Sequence, residues 1–213
     1  MRKRSYGQYC GLARALDAVG ERWSFLVLRD LMPGPKRFTD LRNGLPRIPT
    51  NVLSARLKEL ERAGVIQRRL GDRPAGAVVY QLTDRGRELE PVVLELGRWG
   101  AKLLGERAPD EIVTPDSMIA AMRSIFRPEA AHGVEGSWEL RLGRVILHVR
   151  VSGDVLSAEG GPLPGADMVI EAGPDLKQLL AGEVTPEEAL ARGIVRITGQ
   201  PSLLTTFARI FRI

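Results

Sequence analysis

One cysteine, two histidines and an aromatic share of 5% leave this 213-residue chain short of the groups that catalysis and metal binding use most. The lone Cys10 excludes an internal disulfide and fits a reducing cytoplasm, where the protein is expected to reside. His132 and His148 have no neighbouring cysteine and no His-x-x-x-His spacing, so no metal site is expected. No Gly-rich phosphate loop, nucleophile elbow or Walker sequence occurs, and Glu187-Glu188 is accounted for by helix capping. The chain is therefore expected to be no enzyme and to need no cofactor. It also lacks any run of about 18 apolar residues, so no membrane span is expected. The basic start, Met1-Arg2-Lys3-Arg4, leads into no signal-peptide core.

What the chain does have is hydrophobic content of 44%, enough for packed cores, and length for one large or two ordinary domains. Its net charge of +5 is unevenly spread. Residues 1–107 carry 21 Lys and Arg against 12 Asp and Glu, a balance of +9; residues 108–213 carry 10 against 14, a balance of −4. Most of the basic residues are Arg, whose fork matches phosphate and guanine edges. A basic half joined to a mildly acidic one implies that only the first meets a polyanion.

In that first half, Leu12, Ala15, Leu16 and Val19 predict a helix closed by Gly20. Trp23, Leu26, Val27 and Leu31 predict a second, stopped by Met32-Pro33-Gly34-Pro35. Phe38–Arg42 reads as a short third helix and Asn43–Pro46 as a turn. Residues 49–63 then place Leu53, Leu57 and Leu60 on one stripe, with Thr50, Asn51, Ser54, Arg56 and Lys58 largely off it. Pro49 suits the first turn and Gly64 the C-terminal cap. Two short helices with a tight turn between them make a helix-turn-helix, whose second helix can enter a major groove. Residues 65–70 and 77–82 read as strands around the turn Gly71–Gly76, a wing that places Arg73 near its tip. Thr83 is a candidate N-cap for a further helix, kinked near Pro91, along which Leu89, Val92, Leu96, Trp99 and Leu103 recur at spacings of three and four. Pairing with a second copy, or packing within the same chain, would cover that seam.

Tyr9–Leu12, Gly20–Trp23, Leu28–Leu31, Arg37–Leu41, Asn51–Leu60 and Tyr80–Gly86 together resemble the HxlR-type winged helix-turn-helix regulators. The resemblance covers residues 5–105. It implies a dimeric transcription regulator that binds double-stranded DNA through residues 49–63, with the wing 65–82 alongside. The expected DNA contacts are Arg37, Thr39, Thr50, Asn51, Ser54, Arg56, Lys58, Arg68 and Arg73; the expected dimer contacts are Leu12, Leu89, Val92, Leu96, Trp99 and Leu103. A departure lies at Ile48-Pro49-Thr50-Asn51, where many members carry Ser-Gln-Lys after the Ile. Cys10 sits where several members keep a cysteine that senses oxidants or electrophiles, and a buried, unreactive thiol is the alternative.

Gly105–Glu111 is a polar breakpoint, giving a DNA-binding and dimerisation domain over 1–106, a linker over 107–115 and a second domain over 116–213. That second domain reads as a helix, then strands at Ser137–Leu142, Arg144–Val151, Val155–Ala158 and Ala166–Ala172 in an antiparallel meander. A helix ending at Gly182, another opening on Thr185-Pro186, a strand over Gly193–Gly199 and a helix over Pro201–Phe211 follow. The fold class is α+β. Leu179–Glu183, Thr185–Ala189 and Gly193–Gly199 resemble sterol carrier proteins, in which sheet and final helices enclose an apolar tunnel. By that analogy Trp138, Leu147, Met168, Leu203, Phe207 and Phe211 would line a site for an apolar small-molecule or lipid-like effector. The alternatives are a lipid-type carrier whose basic half only dimerises or docks on anionic surfaces, and a regulator whose second domain is a ligandless dimerisation module.

Overall fold

The computed structural model describes residues 5–71, 76–108 and 110–213, and it divides into two compact units, Met1–Val93 and Leu94–Ile213. In the first, α1 (Gly11–Val19), α2 (Ser24–Leu31), α3 (Phe38–Gly44) and α4 (Thr50–Arg62) precede a hairpin of β2 (Ile66–Leu70) and β3 (Val78–Leu82). Val27, Leu28, Leu31 and Leu41 are buried, as are Leu53, Leu57 and Leu60 on the stripe of α4. α4 ends as glycine dictates. Gly64 takes φ 70, its N–H donates to the Glu61 carbonyl and the Val65 N–H to that of Leu60, so the last carbonyls are satisfied while the chain turns into β2.

Three expectations need correction in this unit. Trp23 is not helical: it stands before α2 with φ 80, a left-handed conformation costing about 1–2 kcal/mol in a residue with a Cβ. Its half-buried ring, 5.7 Å from the Arg22 guanidinium, is the compensation on view. A strand without a sequence signal, β1 (Lys36–Arg37), pairs with β3 and makes the sheet order β1-β3-β2. Two residues are too few to show a period of two. Finally, the kinked helix after Thr83 is two helices, α5 (Asp84–Arg87) and α6 (Glu90–Ala101). Pro91 has no N–H for the Arg87 carbonyl, so the chain restarts just before it. Thr83 does cap α5, its hydroxyl accepting from the Gly86 N–H at 3.0 Å.

The second unit places α7 (Pro115–Ile125) before a five-stranded sheet built from β4 (Glu135–Leu142), β5 (Val145–Ser152), β6 (Val155–Gly160), β7 (Met168–Ala172) and β8 (Val195–Gly199). The first three form the expected meander, but the fourth leaves it. β7 crosses over to lie parallel to β4, giving the order β6-β5-β4-β7-β8. A central position gives β4 a hydrogen-bonded neighbour on each edge, β5 antiparallel and β7 parallel. The register aligns Leu147, Leu140, Ile170 and Ile197 in one row and Val149, Trp138 and Met168 in the next, a continuous apolar face. α8 (Leu176–Ala181), α9 (Pro186–Ala191) and α10 (Pro201–Ile210) supply Leu179, Leu180, Ala189, Leu204 and Phe207 to the same core. Thr185 caps α9 with a reciprocal bond pair to Glu188.

The opposite sheet face carries one buried pair. Glu139 on β4 lies in register with His148 on β5, and a loop covers both. The Glu139 carboxylate accepts from the Leu163 N–H and from the Arg141 Nε, each at 2.7 Å, while His148 Nδ1 donates to the Gly161 carbonyl at 3.0 Å. Burial alone would raise the Glu139 pKa, but these donors outweigh it and hold the carboxyl below its ordinary value. A depressed folded-state pKa stabilises above the unfolded value, near 4.3, and that stabilisation is lost as pH falls through the folded one. Glu139→Gln should therefore flatten the acid side of the pH–stability curve, read from denaturant midpoints between about pH 3 and 6. A second prediction concerns Gly86, where an added Cβ would lie 2.0 Å from the Val65 carbonyl oxygen. Gly86→Ala should lower unfolding free energy by about 1–3 kcal/mol in a denaturant titration.

Candidate nucleic-acid interface

Burying Leu53, Leu57 and Leu60 fixes the roll of α4 about its axis. At roughly 100° per residue, Thr50, Ser54, Lys58 and Arg62 then form a face that runs from beside the leucine stripe at Thr50 to opposite it at Arg62, with Asn51 beside Lys58. All but Ser54, which is half-buried, are exposed. Lys58 and Arg62 pair with no acid among the described residues. Arg62 is absent from the expected contacts, although its spacing of four from Lys58 was the signal that could have found it. Glu61 shares this side of the helix, but it pairs with Arg68 of β2 at 2.9 Å, tying helix to hairpin. The same carboxylate raises the Arg68 pKa through that hydrogen bond.

Arg56 does not join the outward set. It lies roughly 180° around the helix from the middle of that face, its side chain is 13% exposed, and its guanidinium pairs with Glu59 and with Glu21, the latter at 3.6 Å. The expected contact is withdrawn on that geometry: the charge is neutralised within the chain and turned away from solvent. Arg37 ends β1, and its backbone N–H donates to Asp40 at 2.8 Å in the first turn of α3. Thr39 is exposed one residue into that helix. On the hairpin Arg68 and Arg69 are both exposed, and Arg69 Nε donates to the Gln81 side-chain carbonyl at 2.6 Å. Arg73, expected at the wing tip, lies outside the described residues.

A second surface accompanies this one. No residue of α6 is buried, and Val92, Leu96 and Trp99, on one stripe of it, are 50%, 48% and 61% exposed. Leu89 precedes α6, half-buried, and Leu103 follows it in a turn, so the helical part of the expected seam is shorter than its spacing suggested. Leu12 on α1 is also exposed, as are Tyr6 and Tyr9 just before it. Cys10, at the N-terminal boundary of α1, is free and exposed, and Arg14 pairs with Asp17 at 3.8 Å.

The six residues expected to line a tunnel fall into the second unit's core. Trp138, Leu147, Met168, Phe207 and Phe211 are fully buried, and Leu203 packs against them. Phe207 lies 6.2 Å from the Trp138 ring and 4.7 Å from that of Phe211, while the indole N–H donates to the Leu203 carbonyl. The rings fill the space between themselves.

Comparison with known proteins agrees with the geometry of the first unit. Residues 18–108 match the model of the HxlR-like helix-turn-helix family. The HTH-type transcriptional regulator YdeP of Bacillus subtilis is 41% identical over 93 residues, which span 44% of this chain and 73% of that protein. Its fellow YkvN is 33% identical over 112 residues, 51% of this chain and 95% of YkvN. The solved structure of the redox regulator HypR in its oxidised form is 34% identical and covers 44% of this chain and 96% of that one, with a TM-score of 0.41. No helix among the described residues is long and apolar enough to cross a membrane. A helix-turn-helix with a basic outward face, matched along most of the length of such relatives, makes this chain a member of the HxlR-like helix-turn-helix family of DNA-binding transcriptional regulators.

Proposed function

We propose that the protein regulates transcription as a homodimer, with α4 of each copy in a major groove and the hairpin β2–β3 against the flanking backbone. The observation that carries the DNA reading is the outward face of α4. Short polar groups at its start can meet base edges, and Lys58 and Arg62 beyond them can meet phosphates. Arg37, Thr39, Arg68 and Arg69 add contacts from the neighbouring elements. Affinity for operator DNA should fall linearly with salt on a log–log plot, and Lys58→Ala or Arg62→Ala should each reduce that slope by about one. Arg56→Ala should leave the slope unchanged, because its partners are Glu21 and Glu59. Equal slopes in all three variants, measured by fluorescence anisotropy, would remove this contact model.

The unburied α6 supports the dimer. Val92, Leu96 and Trp99 expose more apolar surface than one helix ordinarily leaves to water, and two copies of the stripe make a self-complementary interface. Leu12, Leu89 and Leu103 are the further pairing contacts that the HxlR resemblance implies. Leu96→Glu with Trp99→Arg should yield monomers in analytical ultracentrifugation and reduce operator affinity at least about ten-fold, since two half-sites would no longer be joined. Cys10, exposed at the start of α1, is the residue an oxidant or electrophile would modify.

On this reading residues 1–106 bind DNA and pair, 107–115 link, and 116–213 receive an apolar effector, the last on the strength of the sterol-carrier likeness alone. A five-stranded sheet with α8, α9 and α10 over its apolar face supports that likeness. One observation favours the second reading, a ligandless module: the tunnel residues interlock through the Trp138–Phe207–Phe211 ring contacts. Native mass spectrometry of protein isolated from cells separates the two by a retained apolar molecule or its absence.

A further inference from the structure

The second unit carries a net negative charge, yet three of its arginines converge on one cleft. The cleft has a volume of about 300 Å³ and is lined by Arg127, Pro186, Thr205, Ala208, Arg209 and Arg212. Its construction starts at an antiparallel bridge between Phe126 and Phe211. The Arg127 N–H donates to the Ile210 carbonyl at 2.8 Å and the Arg212 N–H to that of Ile125 at 2.9 Å. Both bridged rings enter the core, 5.6 Å apart, and the flanking Arg127 and Arg212 are left exposed. α10 adds Arg209 from its last turn, and Thr205 one turn earlier supplies a hydroxyl. Pro186, in the first turn of α9, and the buried Ala208 give apolar lining.

The charges do not cancel. Arg127 pairs with Glu129 at 2.9 Å, while Arg209 and Arg212 pair with no carboxylate among the described residues. Three guanidinium groups and one carboxylate leave a local balance of two positive charges. We propose that this cleft binds a small phosphate monoester, with the phosphate held by Arg209, Arg212 and Arg127 and a compact apolar body against Pro186 and Ala208. A phosphate monoester carries about −1.5 to −2 near neutral pH, matching that balance, and guanidinium forks suit its oxygens. The volume suits a compact body beside the phosphate. A duplex is disfavoured, because the half of the chain around the site is acidic. The inference does not depend on the DNA contacts of α4.

Isothermal titration of the full chain with phenyl phosphate, near neutral pH and at fixed ionic strength, tests it, with phenol as the uncharged control. Saturable binding of the ester alone is expected, weakened about ten-fold or more by Arg209→Gln. Arg209 is exposed at a helix end, so its replacement should preserve the fold; an unchanged thermal midpoint checks this. Arg127→Gln should weaken binding independently. No saturation by about 10 mM ester, or binding indifferent to both variants, would overturn the proposal. Arg209-dependent sedimentation with phosphatidate vesicles, without binding of the soluble ester, would replace the small ester with a lipid headgroup. Loss of operator affinity in Arg209→Gln, again without ester binding, would make the cleft a duplex contact instead.

Discussion

The burial of Leu53, Leu57 and Leu60 sets the orientation of α4, and the surface chemistry of the first unit follows from it. A helix with an apolar stripe has one way to seat that stripe, and the residues opposite are then committed to solvent. Asn51, Lys58 and Arg62 are therefore outward because the leucines are seated on the other side. The same seating turns Arg56 away, toward Glu21 and Glu59, where its charge serves packing rather than recognition. A basic residue in a recognition helix acquires its role from its angle about the axis, not from its charge.

The sheet core and α6 treat apolar surface differently. The core of the second unit gathers rows of aliphatic residues on the sheet with the Trp138, Phe207 and Phe211 rings against them. α6, whose residues fall in both units, leaves its Val92, Leu96 and Trp99 facing water. At about 25 cal/mol per Å² of apolar area, a stripe of that kind is a standing drive toward association. A chain able to bury Trp138 entirely is not short of means to cover Trp99. Its exposure on a helix directly after the DNA-binding elements is consistent with cover supplied by another molecule.

Local chemistry was the part most legible in the residues. The caps at Thr83 and Thr185, the turn at Gly64 and the stripe of α4 all follow from interactions within a few residues, and all appear as expected. What escaped depends on distant partners. β1 exists only because β3 offers it an edge, and two residues leave no pattern to read. The parallel placement of β7 beside β4 depends on which edge of the sheet is open, and a turn-by-turn reading naturally extends a meander instead. Arg56 failed for a related reason: a list of polar residues off the stripe ignores where around the helix each one stands. The convergence of Arg127, Arg209 and Arg212 was equally invisible, since the Phe126–Phe211 bridge joins segments far apart in sequence.

Within the second unit, the part of α6 that belongs to it is fastened to the core by specific contacts. Arg98 donates to the carbonyls of Ser124 and Phe126, occupying the end of α7 where the helix itself provides no donors. Gly97 lies so close to α7 that an added Cβ would be 2.7 Å from the Ser124 hydroxyl, which would have to shift to admit it. Leu96 and Trp99 flank this attachment on the same helix. Phe126 in turn is bridged to Phe211, next to the arginine cleft. A ligand influences pairing only through a difference in its affinity for paired and unpaired forms. Phe211 and Phe126 are buried rings and Arg98 donates to the Phe126 carbonyl, so these groups, with little room to yield, are where such a difference would have to be built.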